Sequence, residues 1–245
     1  MAIDPYFLPH LQDLNRQAQK QYRTTGSAFL TLEEAAFATN FFQGKANFKV
    51  DGGYEEAERQ RLFFAPDGEE IISDLVLLKI SPKGKRLGMA LAHRDSLGAI
   101  MGLGIRRDCI GDLIIFEGEA YLFALPSLKD DLLSLSEVGR QAVTVEEIPL
   151  SSFAFAPKIE EKRITLSSLR LDLVVSEAFS LSRDSAKRAV ASGLVTLNGV
   201  IVQKPDLELQ KGDRFSLKSK GKRKVLSLEG ESKKGKEVVI LGYYR

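Results

Sequence analysis

The chain has one cysteine, Cys109, two histidines, His10 and His93, and no apolar run near the roughly 20 residues that a bilayer-spanning helix needs. A single thiol excludes an internal disulfide and any cysteine-rich zinc site, and two imidazoles leave little material for a transition-metal centre. The opening residues lack a basic-then-apolar signal layout. These absences set the expectation of a soluble, cytoplasmic protein with no metal, no cofactor and no membrane insertion. Internal repeats and low-complexity tracts are also missing. So are complete nucleotide motifs. Gly230-x-x-x-x-Gly235-Lys236 has phosphate-loop spacing, but Glu237 stands where a Ser or Thr is needed and an apolar strand follows. Gly102-Leu103-Gly104 ends a helix and lacks the third glycine of a dinucleotide loop. His93-Arg94-Asp95 has none of the other parts of a kinase site.

What is present is an ordinary globular composition, 245 residues with 44% hydrophobic and 28% charged, enough for two or three small domains. Its net charge of +2 hides an asymmetry. Residues 1–162 carry 18 Lys and Arg against 24 Asp and Glu, while residues 163–245 carry 17 against 9. The last third is the end suited to a polyanion, and it lacks the bulky amphipathic helix of a membrane binder.

In chain order, Asp4 to Arg23 reads as a helix with Leu8, Leu11, Leu14 and Ala18 near one face, and Thr31 to Gln43 as a second, with Thr31 and Glu34 as a capping box. Gly52-Gly53 marks a turn before Tyr54, and Leu62 to Ala65 an apolar strand. Glu55, Glu56 and Glu58 raise a metal hypothesis, which a solvated turn explains better. Residues 1–70 are expected to form a small α+β domain. From Ile71 the pattern is β-α-β-β-α-β: strand Leu75 to Ile80, helix Asp95 to Leu103, strands Leu113 to Phe116 and Tyr121 to Leu125, helix Leu128 to Val138, strand Val143 to Ile148. That order predicts a ferredoxin-like, RRM-like domain over 71–150. Phe116, Tyr121 and Phe123 are candidates for stacking on bases, although core packing claims each as readily. Residues 151–167, with Pro157 and Glu160-Glu161-Lys162-Arg163, read as a linker.

Residues 168–245 form the basic module. Leu171, Val174, Val175 and Ala178 fall at i, i+3, i+4 and i+7, one apolar helical face. Ser182 is placed to cap a second helix and Gly193 to end it, with Ala186, Ala189 and Val190 inward and Arg183, Lys187 and Arg188 outward. Asn198-Gly199 predicts a tight hairpin, Lys211-Gly212-Asp213 a second turn, and Val238 to Leu241 a strand pairing back on Val225 to Leu228. A basic run, Lys218 to Lys224, lies between, and Lys233-Lys234-Gly235-Lys236 reads as a basic turn. Arg170-Leu171-Asp172, Ser182-Arg183, Gly193-x-Val195-x-x-Asn198-Gly199 and Gly212-Asp213 at these spacings resemble the S4 domain, named after ribosomal protein S4. The resemblance implies that Arg183, Lys187, Arg188 and Arg170 face RNA. With them we take Ser182, Lys218, Lys220, Lys222, Arg223 and Lys224 as RNA-binding candidates, and Arg94, Arg106 and Arg107 as a possible second patch, which salt bridges to Asp95, Asp108 or Asp112 would explain equally well. No catalytic residue is assigned.

Gly52-Gly53-Tyr54-x-x-Ala57-Glu58-Arg59, the stretch His93-Arg94-Asp95-x-Leu97-Gly98-Ala99-Ile100-x-Gly102-Leu103-Gly104-Ile105-x-Arg107, and Ile110-Gly111-Asp112 resemble, in combination, the YlmH family of bacterial RNA-binding proteins. That resemblance implies a non-catalytic, three-domain factor bound to ribosomal RNA and tRNA on the large ribosomal subunit. It also implies a part in quality control of stalled translation and a link to a cell-division protein. Two alternatives stand beside it. One is a pseudouridine-synthase-like RNA-modifying enzyme using Asp172, and the other a division-associated adaptor.

Overall fold

The computed structural model describes residues 4–84, 90–153, 155, 157, 159–232 and 235–244. It is a mixed helix and sheet structure that divides into two compact units, Met1–Phe155 and Ala156–Arg245.

The first unit opens with α1 (Phe7–Gln21), β1 (Thr25–Gly26), α2 (Leu32–Phe42), β2 (Phe48–Asp51) and β3 (Arg61–Phe64). The strands form a three-stranded antiparallel sheet in the order β1-β3-β2. Thr31 and Glu34 close the expected capping box, each side chain accepting from the other's backbone N–H. Leu11 and Ala18 of α1 and Ala35, Ala38 and Phe42 of α2 meet Leu62 and Phe64 in one core.

A second sheet follows in the same unit: β4 (Val76–Pro82), α3 (His93–Gly102), β5 (Ile110–Phe116), β6 (Glu119–Ala124), α4 (Lys129–Leu133), β7 (Glu137–Val138) and β8 (Gln141–Ile148). Its order is β5-β6-β4-β8-β7, antiparallel throughout. The helix read over Leu128 to Val138 is shorter: it stops at Leu133, and Glu137 and Val138 pair with β8 through a turn at Gly139, whose φ is +61°. Leu135 and Val138 keep a helical spacing, but positive φ at Gly139 makes the tight turn through which Glu137 and Val138 pair with β8.

The two faces of this sheet bury different partners. Val76, Leu78 and Ile80 point to the side covered by Ile100 of α3 and Leu132 of α4. Leu77 and Phe123 point to the other, with Tyr121 beside them, and there they meet Phe29, Tyr54 and Phe153.

The second unit contains β9 (Ile159–Leu166), α5 (Leu171–Ala178), α6 (Arg183–Ala191), β10 (Val195–Leu197), β11 (Val200–Val202), β12 (Arg214–Leu217), β13 (Gly221–Glu231) and β14 (Glu237–Tyr244). They build a six-stranded antiparallel sheet in the order β11-β10-β12-β13-β14-β9. The expected return of the last strand occurs, with Val225 opposite Leu241 and Leu228 opposite Val239. Residues 159–166, read as linker, are instead an edge strand paired with β14 along its whole length. Ile164 and Leu166 face the core while Glu161, Lys162 and Arg163 are exposed, so an edge strand charged against mispairing resembles a linker. Lys233 and Lys234 of the expected basic turn lie outside the described residues. Among the described residues no helix is long and apolar enough to cross a membrane.

Candidate nucleic-acid interface

The helices of the second unit present their cations because their apolar residues are fully used. Leu171, Val174, Val175 and Ala178 of α5 and Ala186 and Val190 of α6 are buried against Val195, Phe215 and Leu217. The Ser182 hydroxyl caps α6, accepting from the Ser185 N–H at 3.2 Å, and Gly193 ends it with φ +68°. This leaves Arg183, Lys187 and Arg188 exposed along one side. Arg188 donates to the Ser185 hydroxyl at 3.4 Å, and Arg183 and Lys187 have no side-chain partner among the described residues. Ser182 itself is committed to its cap.

Arg170 stands apart from this group. Its guanidinium grips Asp172 with Nε to Oδ1 at 3.1 Å and Nη2 to Oδ2 at 2.8 Å. Asp172 is 6% exposed and also accepts the Leu173 N–H at 3.0 Å.

The basic run is split by strand alternation. Lys218 and Lys220 are exposed in the turn between β12 and β13, and the Lys218 N–H holds the Leu194 carbonyl just beyond α6 at 3.0 Å. Arg223 points to the helix side. Its guanidinium lies 4.8 Å from the Phe179 ring and 4.2 Å from the Tyr243 ring, and Nη1 donates to the Lys222 carbonyl. Its buried Nε has no acceptor, so the charge is held by ring faces. Lys222 and Lys224 point the opposite way, with Lys222 Nζ 5.4 Å from the Tyr244 ring.

Of the three second-patch candidates, Arg106 and Arg107 line one cleft with Arg59, and Arg94 is not part of that lining. Arg94 is exposed in the first turn of α3 without a partner among the described residues. Arg106 makes a bidentate pair with Asp108, at 3.0 and 2.5 Å. Half-buried Arg107 donates to the carbonyls of Ile110 and Gly111, at 2.8 and 3.0 Å. Phe116, Tyr121 and Phe123 are likewise taken. Phe123 is fully buried, stacked on Tyr54 at 5.2 Å and met edge-on by Phe153 at 5.2 Å, while Phe153 covers Tyr121 and Phe155 covers Phe116. The sheet face open to bases in many RNA-binding domains is sealed by the protein's own rings.

Two motifs found in sequence meet at that seal. Asp112 accepts the Tyr54 hydroxyl at 2.7 Å and the N–H groups of Glu58 and Arg59 at 2.7 and 3.1 Å. Arg59 in turn donates to the carbonyls of Ile110 and Phe29. Burial pushes the Asp112 carboxyl above the usual carboxylate range, against these donors, and burial with the neighbouring carboxylate pushes the Tyr54 phenol up as well. Among the described residues no group of three His, Cys, Asp or Glu could hold a metal ion, Glu55, Glu56 and Glu58 included.

Residues 74–152 match the family model described as "Putative RNA-binding domain in YlmH", and residues 169–215 match the S4 domain. The protein named Ribosome-associated protein quality control protein P2, from Bacillus subtilis (strain 168), is 31% identical over 236 residues, covering 94% of this chain and 91% of that protein. The chain belongs to the YlmH family. A solved structure, Cell division protein ylmH from Streptococcus pneumoniae, aligns with a TM-score of 0.49 and 18% identity over 62% of this chain and 96% of that one. In this YlmH-family chain the first match spans the β4–β8 sheet with α3 and α4. The S4 match runs from α5 into β12, so the basic run lies beyond it and α6 lies within it.

Proposed function

We propose that the protein is a cytoplasmic, non-catalytic factor that binds structured ribosomal RNA and tRNA on the large ribosomal subunit during quality control of stalled translation. The observation that carries this reading is the cationic face of α6, where Arg183 and Lys187 stand exposed and unpaired beside Arg188 on a capped helix within the S4 match. Dispersed cations on a rigid helix suit recognition of phosphates by shape. The ribosomal role is carried over from the name of the Bacillus subtilis relative, and the large subunit and tRNA from the family resemblance. The strand order β5-β6-β4-β8 with both helices on one face supports reading the central sheet as ferredoxin-like, serving as a scaffold since its other face is filled. The burial of Asp172, 6% exposed beneath Arg170 and bonded to the Leu173 N–H, supports the non-catalytic reading, because a catalytic carboxylate must reach its substrate.

The test is sedimentation of cell extract through salt-stepped gradients, following the wild type and an Arg183→Ala/Lys187→Ala/Arg188→Ala variant. Co-migration with the large subunit at low salt, lost in the variant, is the expected result. A wild type that stays at the top of the gradient would remove the ribosomal assignment.

A further inference from the structure

A cleft of about 510 Å³ lies inside the first unit, on the seam between its two sheets, within the roughly 300–1,000 Å³ typical of small-molecule sites. Its apolar floor comes from both cores: Leu11 and Leu30 belong to the core of the three-stranded sheet, and Phe29 to the covered face of the five-stranded one. Tyr6, 79% exposed, and half-buried Phe7 add two aromatic residues at the start of α1. Backbone bonds fix the walls. The Phe29 N–H donates to the Asp108 carbonyl at 2.7 Å, and Leu30 and Gln60 exchange N–H to carbonyl bonds at 2.7 and 3.1 Å.

The charges of the lining are unequally committed. Asp4 accepts the Tyr6 N–H at 2.9 Å, Glu34 closes the Thr31 cap, and Asp108 holds Arg106. Arg59 and Arg107 have no carboxylate in ion-pair contact among the described residues. Their donors go to backbone carbonyls instead: Arg59 to those of Phe29, Ile110 and Arg107, and Arg107 to those of Ile110 and Gly111. Two guanidiniums are thus held close together in half-buried positions, with Arg59 Nη1 and Arg107 Nε and Nη2 left over. Burial, with the Arg59 charge added, pushes the Arg107 guanidinium below its ordinary range, against the pull of Asp112. Neutral donors would satisfy the same carbonyls without that repulsion, and an anion seated on the two forks offsets it. Anion-binding forks beside aromatic side chains suit a nucleotide, which offers a phosphate to one and a flat base to the other. We propose that this cleft binds one nucleoside monophosphate unit, with its phosphate on Arg59 and Arg107 and its base against Tyr6 and Phe7. The unit is either a free nucleotide or part of an unstacked RNA strand. In the second case the inference rests on the RNA-binding reading above and gives the first unit a contact of its own.

The experiment is equilibrium dialysis of the full-length protein against adenosine monophosphate, with adenosine and inorganic phosphate as separate probes. It compares the wild type, Arg107→Ala, Asp108→Asn, Tyr6→Ala and the α6 triple alanine variant. We expect the monophosphate to bind more tightly than either fragment, and Arg107→Ala to weaken it about tenfold or more. Asp108→Asn removes a carboxylate and frees Arg106, so it should tighten binding by about two- to fivefold, a gain that misfolding cannot produce. Tyr6→Ala should weaken the monophosphate and leave inorganic phosphate unchanged, and the α6 variant should bind the monophosphate as the wild type does. Adding a single-stranded oligoribonucleotide identifies the source: displacement of the monophosphate assigns the cleft to RNA, its retention assigns the cleft to a free nucleotide, and the site stands in both. A wild type that binds ribosomal RNA through α6 but not the monophosphate overturns this inference and leaves the RNA-binding reading standing. So does equal binding by wild type, Arg107→Ala and Asp108→Asn, or phosphate binding as tightly as the monophosphate. Loss of binding in the α6 variant also overturns it, by moving the nucleotide to that helix. A wild type that binds neither the monophosphate nor ribosomal RNA overturns both.

Discussion

The Tyr54 hydroxyl donates to Asp112 Oδ2 at 2.7 Å across 58 positions of sequence, and this bond fastens the Gly52-Gly53-Tyr54 turn to the start of β5. Asp112 is 9% exposed, and its remaining capacity is met by the N–H groups of Glu58 and Arg59. Asp112→Ala strands those donors and should cost about 2–4 kcal/mol, whereas Tyr54→Phe removes one hydrogen bond to a charged acceptor and should cost about 1.5–3 kcal/mol. The pH dependence has a definite sign. Burial raises the Asp112 carboxyl in the folded state above its unfolded value of 3.8, so its contribution is fully present below that value and is lost as pH rises through the folded one. Asp112→Asn removes this dependence. Its disadvantage against the wild type in thermal unfolding should therefore be larger near pH 4 than near pH 7, and a gap that widens with pH would contradict the assignment.

Glycine substitutions should separate by sign. A Cβ on Gly53 would lie 2.5 Å from the Phe123 ring, at a backbone φ of +91°, and one on Gly111 would lie 2.6 Å from the Phe29 ring. Both rings are fixed in the sealed sheet face, so Gly53→Ala and Gly111→Ala should each cost about 1–3 kcal/mol. In α3 the opposite holds. Gly98 and Gly102 are exposed, and a Cβ on either would meet nothing within 4 Å. Gly98→Ala in the helix interior should stabilise by about 0.5–1 kcal/mol, with Gly102→Ala, at the helix end, in the same direction. Chemical denaturation of the four single variants checks both halves.

Much of the local architecture was legible because it is written in neighbouring residues. Thr31 with Glu34, Ser182 with Gly193, and Asn198-Gly199 each satisfy a cap or a turn within a few positions, and each forms as expected. The errors come where tertiary pairing overrules local pattern. Glu137 and Val138 leave a helical pattern to pair with β8, and the charged Glu160 to Arg163 segment is a strand only because β14 lies beside it. The site shows the same division. The outward face of α6 follows from its period, but sequence offers Asp95, Asp108 and Asp112 alike as partners of the second-patch arginines and cannot say that Arg106 takes Asp108 and Arg107 backbone carbonyls. Nor can it say that Phe123 is covered by Tyr54 and Phe153.

Within the basic run, Arg223 and Lys218 should behave as different kinds of residue. Arg223 joins α5 to the sheet by lying between Phe179 and Tyr243, so Arg223→Ala should lower stability by about 1–2 kcal/mol while leaving the salt dependence of RNA binding near wild type. Lys218 is exposed in a turn, so Lys218→Ala should leave the thermal midpoint unchanged and flatten the salt slope. Measuring both quantities on both variants tests the division, which would collapse if Arg223→Ala flattened the slope at constant stability.

The edge strand sets where the C-terminal module can be cut. β9 contributes Ile164 and Leu166 to the core and pairs with β14 from Ile159 opposite Tyr244 to Leu166 opposite Glu237. A fragment that starts at 168 discards both side chains, exposes the hydrogen-bonding edge of β14 and uncovers Val239 and Leu241. Burying two aliphatic side chains is worth about 3–6 kcal/mol, a large share of what a domain of this size retains. Residues 159–245 should therefore give a cooperative thermal transition, and residues 168–245 should be unfolded or aggregate through the bared edge. Limited trypsin digestion adds an independent check: Lys162 and Arg163 are exposed as side chains, but their backbone is held in the sheet, so a stable C-terminal fragment should retain them. A protease-resistant core beginning after Arg163 would show that β9 is dispensable.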